Sequence, residues 1–189
     1  MIQIAATDTA PALTLRRWSE EDIPALVRAH VDPDMRRWLL RHIDDEEQAR
    51  AALASQRADW AAGTRFSFAV VADADANGNG NGNGNGEPIG TVSIRRLAKE
   101  PNIAEIGYWT VAAERGKSVA TRAAEAALAW AEVRWSDDPV ERVNLIHTLG
   151  NDASCRVAIK LGFALAEELP AYPPKFPQPG HLHVRRIAN

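Results

Sequence analysis

The sequence has little cysteine, little net charge and no long apolar run, and each shortage excludes a class of protein. Its single cysteine, Cys155, cannot form an intramolecular disulfide or a metal cluster built from thiolates alone, which fits a reducing compartment. The formal net charge of −3 gives no electrostatic footprint for nucleic acid or an anionic membrane. No apolar stretch approaches membrane-spanning length, and residues 1–11 lack the pattern of a secretory signal. We therefore predict a cytoplasmic protein that binds neither nucleic acid nor membrane.

The residues that are present have the composition of a globular domain. Hydrophobic residues make up 46% and charged residues 25% of the 189 positions, so we expect a single domain, 1–189, with a sizeable core. Apolar periodicity and turn residues predict, in order, a strand at 13–18, helices from 19, 32 and 44, strands at 65–72, 88–95 and 103–111, a helix at 118–134, a strand at 142–149, a helix at 151–161 and strands at 163–167 and 183–187. This order favours an α/β fold with a mixed sheet and helices on both faces.

Five consecutive Asn-Gly dipeptides occupy residues 77–86. A single Asn-Gly pair is a hairpin signal, but five in tandem exceed any tight turn. Strand-like sequence stands on both sides, so we predict a flexible loop at 73–87 within one domain and not a domain boundary. A tolerated insertion is favoured over a binding loop.

A strand runs through a short loop into an alanine-rich helix between residues 103 and 134. The loop holds Arg115, Gly116, Lys117 and Ser118. Free backbone N–H groups at the start of a helix, together with the positive end of its dipole, can cradle a phosphate. The pattern is neither a P-loop nor a dinucleotide-binding glycine pattern. The segment therefore predicts an anion site of another kind.

This segment resembles the pyrophosphate loop of the GCN5-related N-acetyltransferase (GNAT) superfamily. The loop of that family reads Gln/Arg-x-x-Gly-x-Gly/Ala, and Arg115, Ser118 and Ala120 stand at the matching positions, with serine replacing the middle glycine. Residues 142–163 look like the strand, Asn-x-x-Ser, helix and Gly-Phe segment of the ribosomal-protein alanine acetyltransferase branch. The opening at 13–22 also resembles that branch. The similarity thus runs from about residue 12 to the end of the chain.

The resemblance implies a mostly antiparallel, splayed sheet that holds the pantetheine arm of acetyl-CoA in its gap. It also implies an acyl-CoA-dependent N-acyltransferase, which moves an acetyl group directly to a primary amine in a ternary complex. The acceptor amine is left open between a protein N-terminus and a small molecule, and a homodimer is one option for the assembly. A non-catalytic acyl-CoA-binding regulatory module is the alternative, because the serine in the phosphate loop weakens the pattern.

The same resemblance implies which residues contact the coenzyme. These contacts come from the backbone of one strand, from the phosphate loop with the first helical turn, and from one asparagine. The residues are Trp109, Thr110, Val111, Arg115, Gly116, Lys117, Ser118, Val119, Ala120, Thr121 and Asn151. A backbone N–H of the strand would act as an oxyanion donor. Gly107 marks either a bulge that opens the strand or a gap in packing. Lys117 either adds positive charge near the phosphates or is an exposed loop lysine without a role in binding, and the two alternatives are equally favoured.

Two residues are candidates for catalysis. Glu105 matches a glutamate that related enzymes place on this strand, where it could accept the proton of the attacking amine; the alternative is a salt-bridged strand residue. Ser154 matches the serine that hydrogen-bonds the departing thiolate in the alanine acetyltransferase branch. Its alternative is a first-turn helix serine that satisfies local backbone. Asn151 is expected to cap that helix.

The cysteine and histidines suggest no metal site from their spacing. Cys155 follows Ser154, but no histidine or aspartate partner is recognisable, so a core role is favoured over a nucleophile. His147 shares the alternation of an apolar strand face and is predicted to be packed. His181 and His183 lie two residues apart without carboxylate partners, and we predict no metal.

Overall fold

The computed structural model describes residues 1–73 and 86–187, so nearly all of the predicted Asn-Gly loop lies outside the described residues. Within these ranges the strands are β1 (Ile2–Ile4), β2 (Leu13–Arg16), β3 (Arg65–Ala72), β4 (Pro88–Leu97), β5 (Glu100–Thr110), β6 (Arg142–Thr148), β7 (Ala164–Leu169) and β8 (Gly180–Arg186). The helices are α1 (Ile23–Ala29), α2 (Pro33–Trp38), α3 (Glu46–Ala62), α4 (Val119–Arg134) and α5 (Asp152–Lys160). No helix among these residues is both long and apolar enough to cross a membrane.

The described strands form one sheet in the order β1-β2-β3-β4-β5-β6-β8-β7. Every neighbouring pair is antiparallel except β5 and β6, which are parallel. The prediction of a mixed, mostly antiparallel α/β sheet is therefore confirmed. Two 3-10 turns, Glu20–Asp22 and Ala112–Glu114, precede α1 and follow β5.

Helices cover both faces of this sheet. On one face α4 packs closely, because Ala123, Ala124 and Ala127 are almost completely buried and present no side chain that would hold the helix away. On the other face α1 and α3 bury Leu26 and Leu53 in a smaller apolar cluster that includes a residue of β3. Side chains alternate along β3, so that Phe66 and Phe68 lie in the larger apolar cluster under α4 and Ala69 lies in the smaller one.

The sheet opens between its two parallel strands. The pairing of β5 with β6 begins at Ile103 and Arg142 and stops at Ile106 and Leu145. Beyond that point β5 stays paired with β4 as far as Thr110, and β6 stays paired with β8 as far as Thr148. The last residues of β5 and β6 therefore diverge and leave a gap, as expected for a splayed sheet.

The order of elements agrees with the sequence prediction, and most boundaries fall within a few residues. The strand β1 was not predicted, because three residues with two apolar positions carry little periodic signal. The hypothesis of a bulge at Gly107 is wrong: this residue pairs in regular register with Ser93. The β5–β6 pairing ends at Ile106 and Leu145, with no extra residue inserted into β5 at Gly107.

Candidate active site

The gap between β5 and β6 exposes the backbone edge of β5. The N–H of Val111 donates to the carbonyl of Ile89 at 2.9 Å, so this amide is already paired within the sheet. Because N–H groups alternate in direction along a strand, the N–H of Thr110 points away from β4 and into the gap. The Oγ1 of Thr110 is buried without a hydrogen-bond partner among the described residues. Thr110 is thus the residue of this strand end best placed to meet a polar substrate group.

The loop between β5 and α4 is shaped by two residues with left-handed backbone. Gly116 has φ 79°, and Ser118, the residue before α4, has φ 61° and ψ 13°. A capping serine normally has extended backbone so that its hydroxyl can accept from the first turn. In the left-handed conformation the Ser118 side chain makes no capping hydrogen bond.

The backbone amides at the start of α4 nevertheless form an anion site. The first intrahelical acceptor is the carbonyl of Ser118, which receives the N–H of Arg122 at 3.0 Å. The N–H groups of Val119, Ala120 and Thr121 precede it and have no acceptor within the helix. Together with the helix dipole they favour a bound phosphate group.

The basic side chains of this loop are already paired with carboxylates. The guanidinium of Arg115 contacts Asp34 at 2.8 Å and Asp32 at 2.9 Å, both on or just before α2, and its Nε donates to the carbonyl of Thr110 at 3.2 Å. The Nζ of Lys117 lies 3.0 Å from Glu114. Arg115 therefore braces the loop against α2 in this structure, and both predicted alternatives for Lys117 stay open.

The helix α5 brings Ser154 to the other wall of the gap. Asn151 caps this helix, as predicted, by accepting the N–H of Ser154 at 3.2 Å. The Ser154 hydroxyl oxygen accepts a hydrogen bond from the phenol of Tyr108 at 3.3 Å. Burial raises the pKa of Tyr108 to about 12, although the hydrogen bond to Ser154 opposes this effect. The phenol therefore keeps its proton at neutral pH and leaves the serine hydroxyl hydrogen free to point elsewhere.

Sequence reasoning did not identify Tyr108. It occupies the β5 face that carries the buried Ala104 and Ile106, so its pattern is that of a core residue. Only the packing of α5 against this face brings its hydroxyl to Ser154. The Asn-x-x-Ser spacing that identified Ser154 carries no information about which strand residue lies opposite.

Glu105 lies on the opposite face of β5 from Tyr108, because the two positions are three residues apart on a regular strand. Its Oε1 accepts from the Nη2 of Arg95 at 2.7 Å and from the Nε of the same guanidinium at 3.1 Å. The Oε2 makes no hydrogen bond with the described residues, and about a quarter (26%) of the side chain is exposed. Glu105 is thus both ion-paired and open to solvent, and it does not meet Ser154 directly.

Cys155 meets three histidines, which sequence reasoning did not foresee. Its sulfur lies 3.3 Å from Nε2 of His147, 3.4 Å from Nδ1 of His181 and 3.8 Å from Nε2 of His183. Burial lowers the pKa of His147 and of His183, so both favour the neutral imidazole. The sequence could have predicted this cluster only if the strand at 142–149 had been paired with the last strand, because that pairing places His147, His181 and His183 on one face of the sheet.

Comparison with known proteins gives a consistent assignment. The family profile described as "Acetyltransferase (GNAT) domain" matches residues 12–164. Comparison with curated protein sequences finds no significant match. Among solved structures, RimJ of Mycobacterium smegmatis in complex with a CoA disulfide is 19% identical with a TM-score of 0.74, covering 95% of this chain and 84% of that one.

Two further structures share the fold over nearly their whole length. The Salmonella typhimurium acetyltransferase that modifies the N-terminal serine of ribosomal protein L7/L12 is 19% identical with a TM-score of 0.74, covering 98% of this chain and 99% of that one. The ribosomal-protein-S5-alanine acetyltransferase of Vibrio fischeri is 17% identical with a TM-score of 0.75, covering 98% and 97%. With the profile matching most of the chain and the splayed sheet in place, this protein belongs to the GNAT family of acetyltransferases, which transfer an acyl group from acetyl-CoA to an amine.

Proposed function

We propose that this protein acetylates the N-terminal amine of a protein by direct transfer from acetyl-CoA in a ternary complex. The observation that carries the proposal is the end of pairing between β5 and β6 at Ile106 and Leu145. The resulting gap has on one wall an edge of β5 that no described strand pairs with beyond Ile106, the Ser154 hydroxyl on the other wall and the amides of α4 at its end. These are the groups that a thioester with a long amide-containing arm and a pyrophosphate requires.

Binding of acetyl-CoA then follows from the backbone. The pyrophosphate is held by N–H groups between Lys117 and Thr121, and the pantetheine arm adds to the edge of β5 near Trp109 and Thr110. The N–H of Thr110 is the donor we assign to the thioester carbonyl, where negative charge develops during attack. Asn151 contributes by holding the first turn of α5, which carries Ser154.

The chemistry requires one proton to leave the ammonium of the acceptor and one donor to the departing sulfur. We assign Glu105 as the base, acting through water because it approaches β5 from the face opposite Ser154. The amine then attacks the thioester carbon, a C–N bond forms, the C–S bond breaks, and the second nitrogen proton passes to the departing thiolate, which leaves as the coenzyme A thiol. The Ser154 hydroxyl donates a hydrogen bond to the coenzyme A thiolate, and Tyr108 supports it by donating to the serine oxygen.

The surface around the gap supports a peptide acceptor. Trp38 at the end of α2 reaches Gly150 in the loop before α5, where an added Cβ would lie 4.0 Å from the indole. Large apolar side chains are exposed near α2, at Leu40, and in the proline-rich segment before β8, at Tyr172. We expect the acceptor to lie against these two segments, where exposed apolar side chains would suit an extended polypeptide better than a small polar amine. The named substrates of the similar enzymes, ribosomal-protein N-termini, favour the same class of acceptor and, with it, a cytoplasmic location.

A thiol-release assay with acetyl-CoA tests this proposal. We expect turnover with short peptides that carry a free N-terminal serine or alanine. The matched control is the same peptide with a blocked N-terminus and one internal lysine, which should give background release. Turnover only with small-molecule amines would contradict the protein acceptor, and coenzyme binding without turnover on a broad panel would favour a regulatory module. Sedimentation of the same preparation would show whether the protein is the homodimer that the family leaves open.

A further inference from the structure

Three histidines and one cysteine converge between β6, β8 and α5, outside the groups assigned to acetyl transfer. His147 on β6 and His181 on β8 are directly opposite in the antiparallel register. Since side chains alternate along a strand, His183 lies on the same face as His181, one diagonal step from His147. Cys155 reaches down onto this face from α5. The fold therefore places four potential metal ligands from three elements in one cluster.

Four of the six distances between ligand atoms of this cluster are close to those of a tetrahedral coordination shell. With metal–nitrogen bonds of about 2.0–2.1 Å and a metal–sulfur bond of about 2.3 Å, tetrahedral geometry requires ligand atoms about 3.3–3.6 Å apart. The Nε2 atoms of His147 and His183 are 3.2 Å apart, and the Cys155 sulfur lies 3.3, 3.4 and 3.8 Å from the three imidazoles. All four ligand atoms lie within 4.8 Å of one another.

A neighbouring backbone carbonyl orients one of the rings toward the centre of the cluster. The Nδ1 of His147 donates to the carbonyl of Thr148 at 2.9 Å, which leaves the Nε2 lone pair facing Cys155. Imidazoles that bind metals are typically held in this way, by a carbonyl or a carboxylate on the other nitrogen. The Nδ1 of His181 faces the cysteine at 3.4 Å, and its Nε2 lies 4.0 Å from the exposed carboxylate of Glu168, beyond hydrogen-bond distance. The Nδ1 of His183 has no partner among the described residues.

Hydrogen bonds alone satisfy the cluster only in part. The Cys155 thiol carries one proton, yet its sulfur lies close to three ring nitrogens. A single cation accepts all four donor atoms at once. Imidazole with thiolate is the ligand set that zinc prefers, whereas magnesium and calcium prefer oxygen.

We propose that His147, Cys155, His181 and His183 bind one zinc ion in a closed tetrahedral site. Four protein ligands leave no open position, so the ion is structural and takes no part in acetyl transfer. It ties the start of α5 to β6 and β8. Cys155 directly follows Ser154, so the site holds the helical turn that presents this serine to the gap. The proposal is independent of the acceptor and of the assigned base.

Cobalt substitution tests the site with a readout besides activity. The untagged full-length chain is treated with a chelator, returned to buffer and titrated with Co²⁺ and then with Zn²⁺. We expect one equivalent of Co²⁺ to give the visible bands of a tetrahedral ion and a thiolate-to-cobalt charge-transfer band, both removed by one equivalent of Zn²⁺. The melting temperature should rise on adding Zn²⁺.

Single substitutions separate this site from adventitious binding. Cys155→Ala should lose the charge-transfer band and at least about a hundredfold in affinity, since loss of even an outer partner costs 10–100-fold. His181→Ala, at a partly exposed position, should also weaken binding. His42→Ala is the matched control, because the His42 ring hydrogen-bonds backbone carbonyls beside α2 and lies outside the cluster, and this variant should bind the metal as the wild type does. A folded wild-type chain that binds no Co²⁺, or unchanged spectra in Cys155→Ala, would overturn the proposal.

Discussion

Replacing Ser118 by glycine tests whether backbone strain in the phosphate loop is separable from coenzyme binding. Ser118 has φ 61° and ψ 13°, a left-handed conformation that costs a non-glycine residue about 1–2 kcal/mol. Glycine removes this cost but enlarges the conformational freedom of the unfolded chain, which offsets about 0.4–1 kcal/mol. The difference leaves Ser118→Gly more stable by up to about 1.6 kcal/mol. For a chain of this length, about 1 kcal/mol corresponds to a rise of about 2–4 °C in melting temperature.

The same change should tighten acetyl-CoA binding modestly. The strain is present in the free and the bound protein alike, so its relief does not by itself change affinity. Loss of the Cβ gives the phosphate more room to approach the amides of the first α4 turn, and the serine hydroxyl makes no capping hydrogen bond that would be lost. We expect a gain in affinity of less than about tenfold, which corresponds to less than about 1.4 kcal/mol.

Thermal unfolding and isothermal titration at fixed salt measure the two effects separately. Ser118→Ala is the control, because it removes the hydroxyl and keeps both the Cβ and the left-handed strain. It should match the wild type in stability and in affinity. If both variants bind acetyl-CoA clearly less tightly than the wild type, the hydroxyl is a phosphate ligand and our reasoning about the loop is refuted.

Three further predictions concern the remaining site and the core. Tyr108→Phe and Ser154→Ala should each lower turnover about 3–10-fold, the effect of one neutral hydrogen bond, and the double variant should lose no more than the more affected single variant; additive losses would show that the two hydroxyls act separately. Glu105→Gln should lower kcat about a hundredfold or more with little change in coenzyme affinity, and turnover within a few-fold of wild type would make it a structural residue. Asp22→Asn should destabilise the fold by about 1.5–3 kcal/mol in urea unfolding, because it removes the charge from the hydrogen-bonded contact between Asp22 and the guanidinium of Arg16, 2.6 Å away and mostly buried. Burial would raise the pKa of Asp22, but hydrogen bonds from Arg16 and Ser19 lower it below its ordinary 3.8. The stabilisation is therefore present above about pH 4 and is lost as the pH falls through the lowered pKa. A difference in stability between the variant and the wild type that persists in strong acid would contradict this assignment.

Local sequence signals determined the elements and the family. The alanine-rich run of α4, the alternation of Phe66, Phe68 and Val70 in β3, and the capping residue Asn151 each act within a few positions of the chain, so their effect can be predicted without tertiary structure. The same holds for the Asn-x-x-Ser spacing that identified Ser154. The exposed position of the Asn-Gly repeat lies outside the described residues and stays a prediction.

Tertiary structure decided which side chains meet across the sheet. Tyr108 reaches Ser154 from a strand 46 positions away in the chain, and Arg115 contacts Asp32 from 83 positions away. No local pattern encodes such contacts, because they depend on the register of β5, β6 and β8 and on how α2 and α5 pack. The conformation of Ser118 was also undecided by sequence, since a residue before a helix is usually extended and only the loop closure from β5 to α4 imposes φ 61°. The sequence by itself therefore determined a GNAT chain with its helix caps and strand faces. The pairing of Asp32 and Asp34 with Arg115 and the assembly of the histidine–cysteine cluster arise only when elements distant in the chain pack together, because no local pattern brings these residues into contact.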